Sequence, residues 1–323
     1  MLTQSVKAAK RLHISLDSPA EILNMNNSTR NFKMKTLLIA STALVATAGM
    51  AFADITMTGH AAAGFHSGLV DKSTLAGDDA DAAEGIYSNA GVDFAMSGAT
   101  DNGISFSASV SADAGNEIDQ GDFHFDGSDG GTLGLGAVSM TGAFGTLTFD
   151  KNGIDNLYSD ATTHDVSYAT SVGAVGLTVA YDATKDATKA TSAQATYSAS
   201  GMAFTLTGSE APGGTSTILA VSYALNDTVT ITADTDSAAG GASVQTIGAS
   251  TTLNGVSVTV SSANNSTWDV DLGYTAGGFA LTYGVDETDA WTATATAALG
   301  GGASFSAGVN SDDATYAGVS FAF

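Results

Sequence analysis

The sequence predicts an all-β protein: a closed antiparallel transmembrane β-barrel of roughly 16–18 strands, with short turns on one rim and longer loops on the other. Three observations predict it. Apolar residues recur with period two along most of the chain beyond residue 53, which is the signature of strands. The residues between them are Thr, Ser, Gly and Ala with an occasional Asp, a small polar face without the many Lys and Glu of a water-facing sheet. Apolar-out, polar-in alternation over segments of about 10 residues belongs to membrane barrels. Finally, the chain has only 2 prolines, of which Pro212 alone lies beyond residue 53. Proline removes a ladder donor and is kept out of central strands, so a chain almost wholly in paired strands lacks it.

The N-terminal stretch stands apart from this pattern. Met34-Lys35, the apolar run Thr36–Gly49 and the Ala51-Phe52-Ala53 site form a charged n-region, an apolar h-region and an Ala-x-Ala cleavage motif. The run is shorter than the roughly 20 residues a spanning helix needs. Residues 34–53 therefore read as a signal peptide cut after Ala53, with Ala51 and Ala53 as its recognition residues. Residues 1–33 read as an extension from a misassigned start or as part of a long natural leader, and 54–323 as the barrel domain.

The strands follow in order. Ile104, Phe106, Ala108 and Val110 alternate first, then Val175, Leu177, Val179 and Tyr181, then Met202, Phe204 and Leu206, then Leu219, Val221 and Tyr223. Towards the C-terminus come Val256, Val258 and Val260, the series Trp268, Val270, Leu272 and Tyr274, and the series Phe279, Leu281, Tyr283 and Val285. Turn residues punctuate one end of these runs, among them Thr100–Gly103, Ser200-Gly201, Asn254-Gly255 and Gly277-Gly278. Longer connections sit at the other end: His66–Glu84, Ala114–Gly131, Lys151–His164 and Asp182–Lys189. The pattern counts to about 18 strands, with Phe123–Gly136 and Asp286–Leu299 as the weakest segments. Aromatics gather near strand ends, as expected of two girdles at the membrane interfaces.

Charge limits the partners. Asp54–Phe323 keeps four lysines (Lys72, Lys151, Lys185 and Lys189) and no arginine, against 31 of the 33 acids, for a net charge of −27. Nucleic acid is excluded as a partner. The absence of cysteine removes disulfides, thiolate metal sites and Cys nucleophiles. His60, His66, His124 and His164 are scattered, so no zinc set is expected, and no catalytic constellation stands out. No cofactor is expected. The acidic runs Asp78-Asp79-Ala80-Asp81 and Asp126–Asp129 supply the hard oxygen ligands that Ca2+ takes, but without EF-hand spacing.

The chain ends in Ala317-Gly318-Val319-Ser320-Phe321-Ala322-Phe323, a strand whose alternate residues Val319, Phe321 and Phe323 face lipid. Together with Asp54-Ile55-Thr56-Met57-Thr58-Gly59, Phe94–Gly103 and Met140-Thr141-Gly142-Ala143-Phe144-Gly145-Thr146-Leu147, this ending resembles the general porins of Gram-negative bacteria, especially the alphaproteobacterial branch. The resemblance implies an outer-membrane homotrimer of 16-stranded barrels passing small hydrophilic solutes and ions. It implies that the barrel-assembly machinery reads the terminal strand. It also implies that the loop after the fifth strand, here Lys151–His164, folds inward and constricts the pore, with Asn152, Asp155, Asn156, Asp160 and Asp165 at the constriction. The chain departs from the family in having no arginine to oppose those acids and in the shortness of this loop.

Alternation places His60, Asp93, Asp234, Asp269 and Asp271 on the pore-facing side. Acid-lined pores attract cations and repel anions, so cation preference is expected. Two other readings exist: a secreted or surface-anchored acidic adhesin or surface-layer protein, and an outer-membrane hydrolase. The aromatic rims and terminal Phe323 argue against the first, and the missing catalytic set against the second.

Overall fold

The computed structural model describes residues 54–71, 84–159, 162–183 and 190–323. Ala51, Ala53, Asp160, Lys72, Lys185, Lys189 and the acidic run Asp78–Asp81 lie outside the described residues.

The first six barrel strands are β1 (Asp54–Ser67), β2 (Gly85–Ala99), β3 (Ser105–Asp119), β4 (His124–Gly142), β5 (Gly145–Asp155) and β6 (Thr163–Val172). The next six are β7 (Val175–Tyr181), β8 (Thr191–Ala199), β9 (Met202–Ala211), β10 (Gly214–Ala224), β11 (Val229–Ser237) and β12 (Val244–Leu253). The last six are β13 (Val256–Ala263), β14 (Trp268–Ala276), β15 (Phe279–Asp286), β16 (Trp291–Gly300), β17 (Ala303–Asn310) and β18 (Thr315–Ala322). Each pairs antiparallel with the next, and β18 pairs with β1 from His60↔Ala322 to Ser67↔Thr315. The ring is therefore closed, which leaves no sheet edge and satisfies the backbone from within, as a membrane-spanning sheet requires. The eighteen strands agree with the pattern count and correct the sixteen implied by the family resemblance. Both weak segments are strands in the ring, β4 and β16.

The two faces differ as the alternation demands. Phe65, Ile86, Leu133, Leu135, Leu206, Ile247 and Phe279 point outward and are exposed. Tyr197 stacks beside Phe204, and Tyr283 beside Trp291, at centroid separations of 6.4 and 6.3 Å. Ser and Thr fill the inner face and link across strands, as in Ser107–Ser139, Thr141–Thr146 and Thr282–Thr294.

Asp54 at the start of β1 and Ala322 at the end of β18 lie on the rim of short turns. Ser200-Gly201 and Asn254-Gly255 have positive φ at both residues, the two-residue turn whose twist suits a hairpin. The opposite rim carries the long connections. There, one expectation needs correction: most of Ala114–Gly131 is strand, because β3 runs to Asp119 and β4 starts at His124. The Asp119 carboxylate accepts from the amides of Gly121 and Asp122, so the chain reverses within residues 120–123.

An apolar cluster sits against the inner wall near this rim, at the seam where the ring closes. Leu69, Tyr87, Ile118, Phe123, Ala314 and Tyr316 are buried together. The segment after β1 feeds it: Val70–Asp71 pairs in parallel with His124–Phe125. Tyr87 fits because Gly64 and Gly318 have no Cβ, and Tyr316 fits over Gly308 for the same reason. Tyr87 and Tyr316 occupy inward positions that period-two reading assigns to small polar residues, which is why the cluster is invisible to it.

Candidate pore and constriction loop

The connection after β5 is the feature that shapes the interior. Near its root, Phe149 pairs with Val166 while Ile154 pairs with His164, so β5 carries extra residues as a bulge. Asn152 takes φ 58° in that bulge, and the Gly153 Cα lies against the carboxylate of Asp150, where a Cβ would collide. Lys151–Asp155 and Thr163-His164, expected in the loop, therefore belong to β5 and β6; the loop itself is residues 156–162.

This loop crosses the inner wall. The Asn156 side chain donates to Thr162 Oγ1 at 2.9 Å and to Ser209 Oγ on β9 at 3.0 Å, while its own oxygen accepts from the Tyr158 amide. The Leu157 amide donates to Ser192 Oγ on β8 at 3.0 Å. Farther along, the Tyr158 hydroxyl donates to Asp236 on β11 at 2.8 Å. Four strands, β8 to β11, thus lie beneath one short segment. Ser192 and Ser209 beneath it are buried, as are the adjacent inward residues Ala180 and Thr207, whereas the outward Val179, Leu206 and Leu219 are exposed. Burial and the hydrogen bond to the Asp236 carboxylate push the Tyr158 hydroxyl above the usual tyrosine range.

The sequence-derived residues fall in several places. Asn156 is the main hook of the loop and is buried. Asp155 ends β5, exposed, paired with Thr163. Asp165 is buried at the loop root, its two oxygens accepting from the amides of Asn152 and Ala183 at 3.0 and 2.8 Å. Its carboxylate is held by backbone donors, not turned to open water.

His60 and Asp93 share the inner wall, with His60 Nδ1 3.6 Å from Asp93 Oδ2. Asp234 lies two residues before Asp236 and shares its face. Asp269 and Asp271 project opposite to the exposed Trp268, Leu272 and Tyr274, and Asp269 stands across from Asp286. Val319, Phe321 and Phe323 alternate outward, with Phe321 and Phe323 exposed.

Sequence reasoning missed Tyr158, Ser192, Ser209 and Asp236 of the loop anchorage, and Asp113, whose Oδ1 lies 3.2 Å from His60 Nε2. The signal for the two acids was present: Asp236 continues the face of Asp234, and Asp113 continues Ser107, Ser109 and Ser111. Among the described residues no group of three His, Asp or Glu could hold a metal ion. Nor, among the described residues, is any helix long and apolar enough to cross a membrane.

A closed barrel with an apolar outer face, a polar inner face and a loop laid across its interior defines a membrane channel. The chain belongs to the Gram-negative porin family, whose model matches residues 40–323. Among solved structures, it is similar to a variant of the Rhodopseudomonas blastica porin with two introduced tryptophans, at 16% identity and TM-score 0.49 over 83% of this chain and 100% of that one. A variant of the same porin with an introduced lysine is similar at 18% identity and TM-score 0.47, again over 83% and 100%. No curated protein matches the chain. Family and fold together describe a passive channel, not an enzyme.

Proposed function

We propose that this chain is an outer-membrane porin through which small hydrophilic solutes and ions diffuse passively, with preference for cations. The observation that carries the cation preference is the imbalance of charge on the inner wall. Asp93, Asp113, Asp234, Asp236, Asp269, Asp271 and Asp286 all take inward register positions. No arginine exists beyond residue 53, and Lys151 at the loop root is the only lysine among the described residues. A water-filled lumen with such walls raises the local cation concentration and lowers that of anions. Loop 156–162 narrows the passage, with Asp155 and Asn152 beside it.

The family resemblance supports a homotrimer, insertion by the barrel-assembly machinery through the terminal strand, and removal of residues 34–53 as a signal peptide on export. The long-loop rim then faces outward and the rim of short turns faces the periplasm.

Planar-bilayer recording of the purified protein tests the reading. Stepwise channel insertion and a reversal potential of cation-selective sign in a KCl gradient are expected. Anion selectivity would overturn the cation preference, and absence of conductance by a folded, heat-modifiable protein would overturn the pore.

A further inference from the structure

The inner wall holds a charge arrangement that the constriction loop does not use. Three adjacent strands each bring one residue to the same level. His60 of β1 lies between Asp93 of β2 and Asp113 of β3, with Nδ1 3.6 Å from Asp93 Oδ2 and Nε2 3.2 Å from Asp113 Oδ1. Gly91 makes the meeting possible. It stands opposite both His60 and Asp113 in the ladder, and a Cβ there would occupy the space where the imidazole and the Asp113 carboxylate come together. All three side chains remain part-exposed, at 44%, 46% and 33% for His60, Asp93 and Asp113, so they border the inner side of the wall.

A carboxylate oxygen lies near each ring nitrogen, so a proton gained by the ring places a positive charge between the two acids. From these contacts we infer that His60 is a selectivity-determining residue of the pore, setting by its protonation how much negative charge this level of the wall shows to a passing ion. This rests on the reading of the chain as a cation-preferring channel. Neutral His60 leaves two carboxylate charges uncancelled; protonated His60 cancels one. Cation preference must then weaken as pH falls.

The groups facing His60 include no other basic side chain. On β2 the facing titratable groups are Asp93 and, farther along the same cavity, the Tyr87 hydroxyl; β3 supplies Asp113 and Glu117. From β18 come Ser320 and Ala322, the latter paired with His60. None of these is cationic. The other described histidines are differently placed: His66 is buried and stacked 4.8 Å from Phe125, His164 is fully buried, and His124 begins β4 at the long-loop rim.

The test is the K+/Cl− permeability ratio from reversal potentials at about pH 8 and about pH 5.5, a window that lies above ordinary carboxylate titration and spans ordinary imidazole titration. The wild-type ratio is expected to fall about threefold at the lower pH, the effect of one unit charge a few ångströms from the ion path in water. His60→Gln should hold the high ratio at both pH values and His60→Lys the low ratio at both, while His124→Gln keeps the wild-type response. Heat-modifiable mobility on gels establishes that each variant is folded, and the two opposite substitutions at one site guard against the failure of either. A wild-type ratio indifferent to pH, or variants at residue 60 that respond as wild type does, would overturn the inference and leave the pore standing. Absence of any conductance would bring down the pore reading as well.

Discussion

The Tyr158 hydroxyl donates to Asp236 at 2.8 Å, tying the loop between β5 and β6 to a strand five places farther round the barrel. This bond is the far end of a row of anchors that begins at Asn156 and passes through Leu157. A hydrogen bond to a charged acceptor is worth about 1.5–3 kcal/mol when buried, and less where water competes. Tyr158→Phe is therefore expected to free the loop tip without unfolding the barrel, whose ladder it does not touch. Single-channel conductance should rise and its distribution broaden, while the temperature at which the compact gel band is lost stays unchanged. Because the Tyr158 hydroxyl titrates above the usual tyrosine range, the latch is complete below that range and is lost only as pH rises through the raised value. Wild-type conductance is accordingly expected to show no loop-release step between about pH 6 and 9, where ordinary tyrosines are still protonated.

Asn156 should matter more. Its side chain serves three partners at once: Thr162, Ser209 and the Tyr158 amide. Asn156→Ala leaves the Ser209 hydroxyl and the Tyr158 amide without that partner in a buried setting, at about 1–3 kcal/mol for each group stranded. The expected outcome is a larger conductance increase than for Tyr158→Phe, together with new protease cleavage within residues 156–162 of the folded protein. Equal conductance in the two variants would mean that the loop is held by its strands alone.

How much of this was legible before the structure depended on the range of the interaction. Period-two alternation is local and survives in sequence, so Trp268, Val270, Leu272 and Tyr274 marked β14, and Gly277-Gly278 marked the turn after it. Register is nearly forced once one face must be apolar, because a one-residue slip would turn Leu272 inward. The same constraint fixes the ladder positions of the acids, with Asp93 opposite Thr58, Asp234 opposite Ala220, Asp269 opposite Ser261 and Asp271 opposite Gly284. The anchors of the constriction loop were not legible. Ser192, Ser209 and Asp236 are ordinary inward polar residues until Asn156, Leu157 and Tyr158 arrive from 35 to 78 positions away. Tyr87 and Tyr316 were hidden for a related reason. An inward aromatic is tolerated only where a neighbouring strand offers a glycine, and the pairing of Gly318 with Gly64 across the β1–β18 seam is a property of closure.

Two glycines beside that seam give opposite expectations. At Gly59 the nearest obstacle to a Cβ is the ring of the terminal Phe323, which can swing aside. At Gly318 the obstacles are the Tyr87 hydroxyl and, at 2.7 Å, the carbonyl oxygen of Ala63 in the paired strand. Backbone in a ladder cannot yield without breaking the register, and overpacking of this kind costs about 1–3 kcal/mol. Gly318→Ala is thus expected to lower the temperature of gel-band conversion by several degrees, and Gly59→Ala to leave it within about a degree or two. The comparison is made at the same seam, so a general weakness of closure would depress both alike and would contradict the ranking.

Charge elsewhere on the inner wall offers an independent check of the pore reading. Asp269 and Asp271 share one face of β14, and Asp286 of β15 stands across from Asp269. No basic side chain among the described residues pairs with them. Their field therefore acts on ions in the lumen instead of being cancelled at the wall. In water, a unit charge about 6 Å from an ion contributes about 0.7 kcal/mol, roughly a threefold change in local concentration, and less when salt screens it. The double substitution Asp269→Asn with Asp271→Asn should lower the K+/Cl− permeability ratio by at least about twofold at low salt, with the difference shrinking as salt is raised. Asp101→Asn, in the turn between β2 and β3 at the rim of short turns, serves as the control and should change the ratio little. If the turn substitution moved selectivity as far as the wall substitutions do, the ion path would be governed by the rim and not by the inner face of β14.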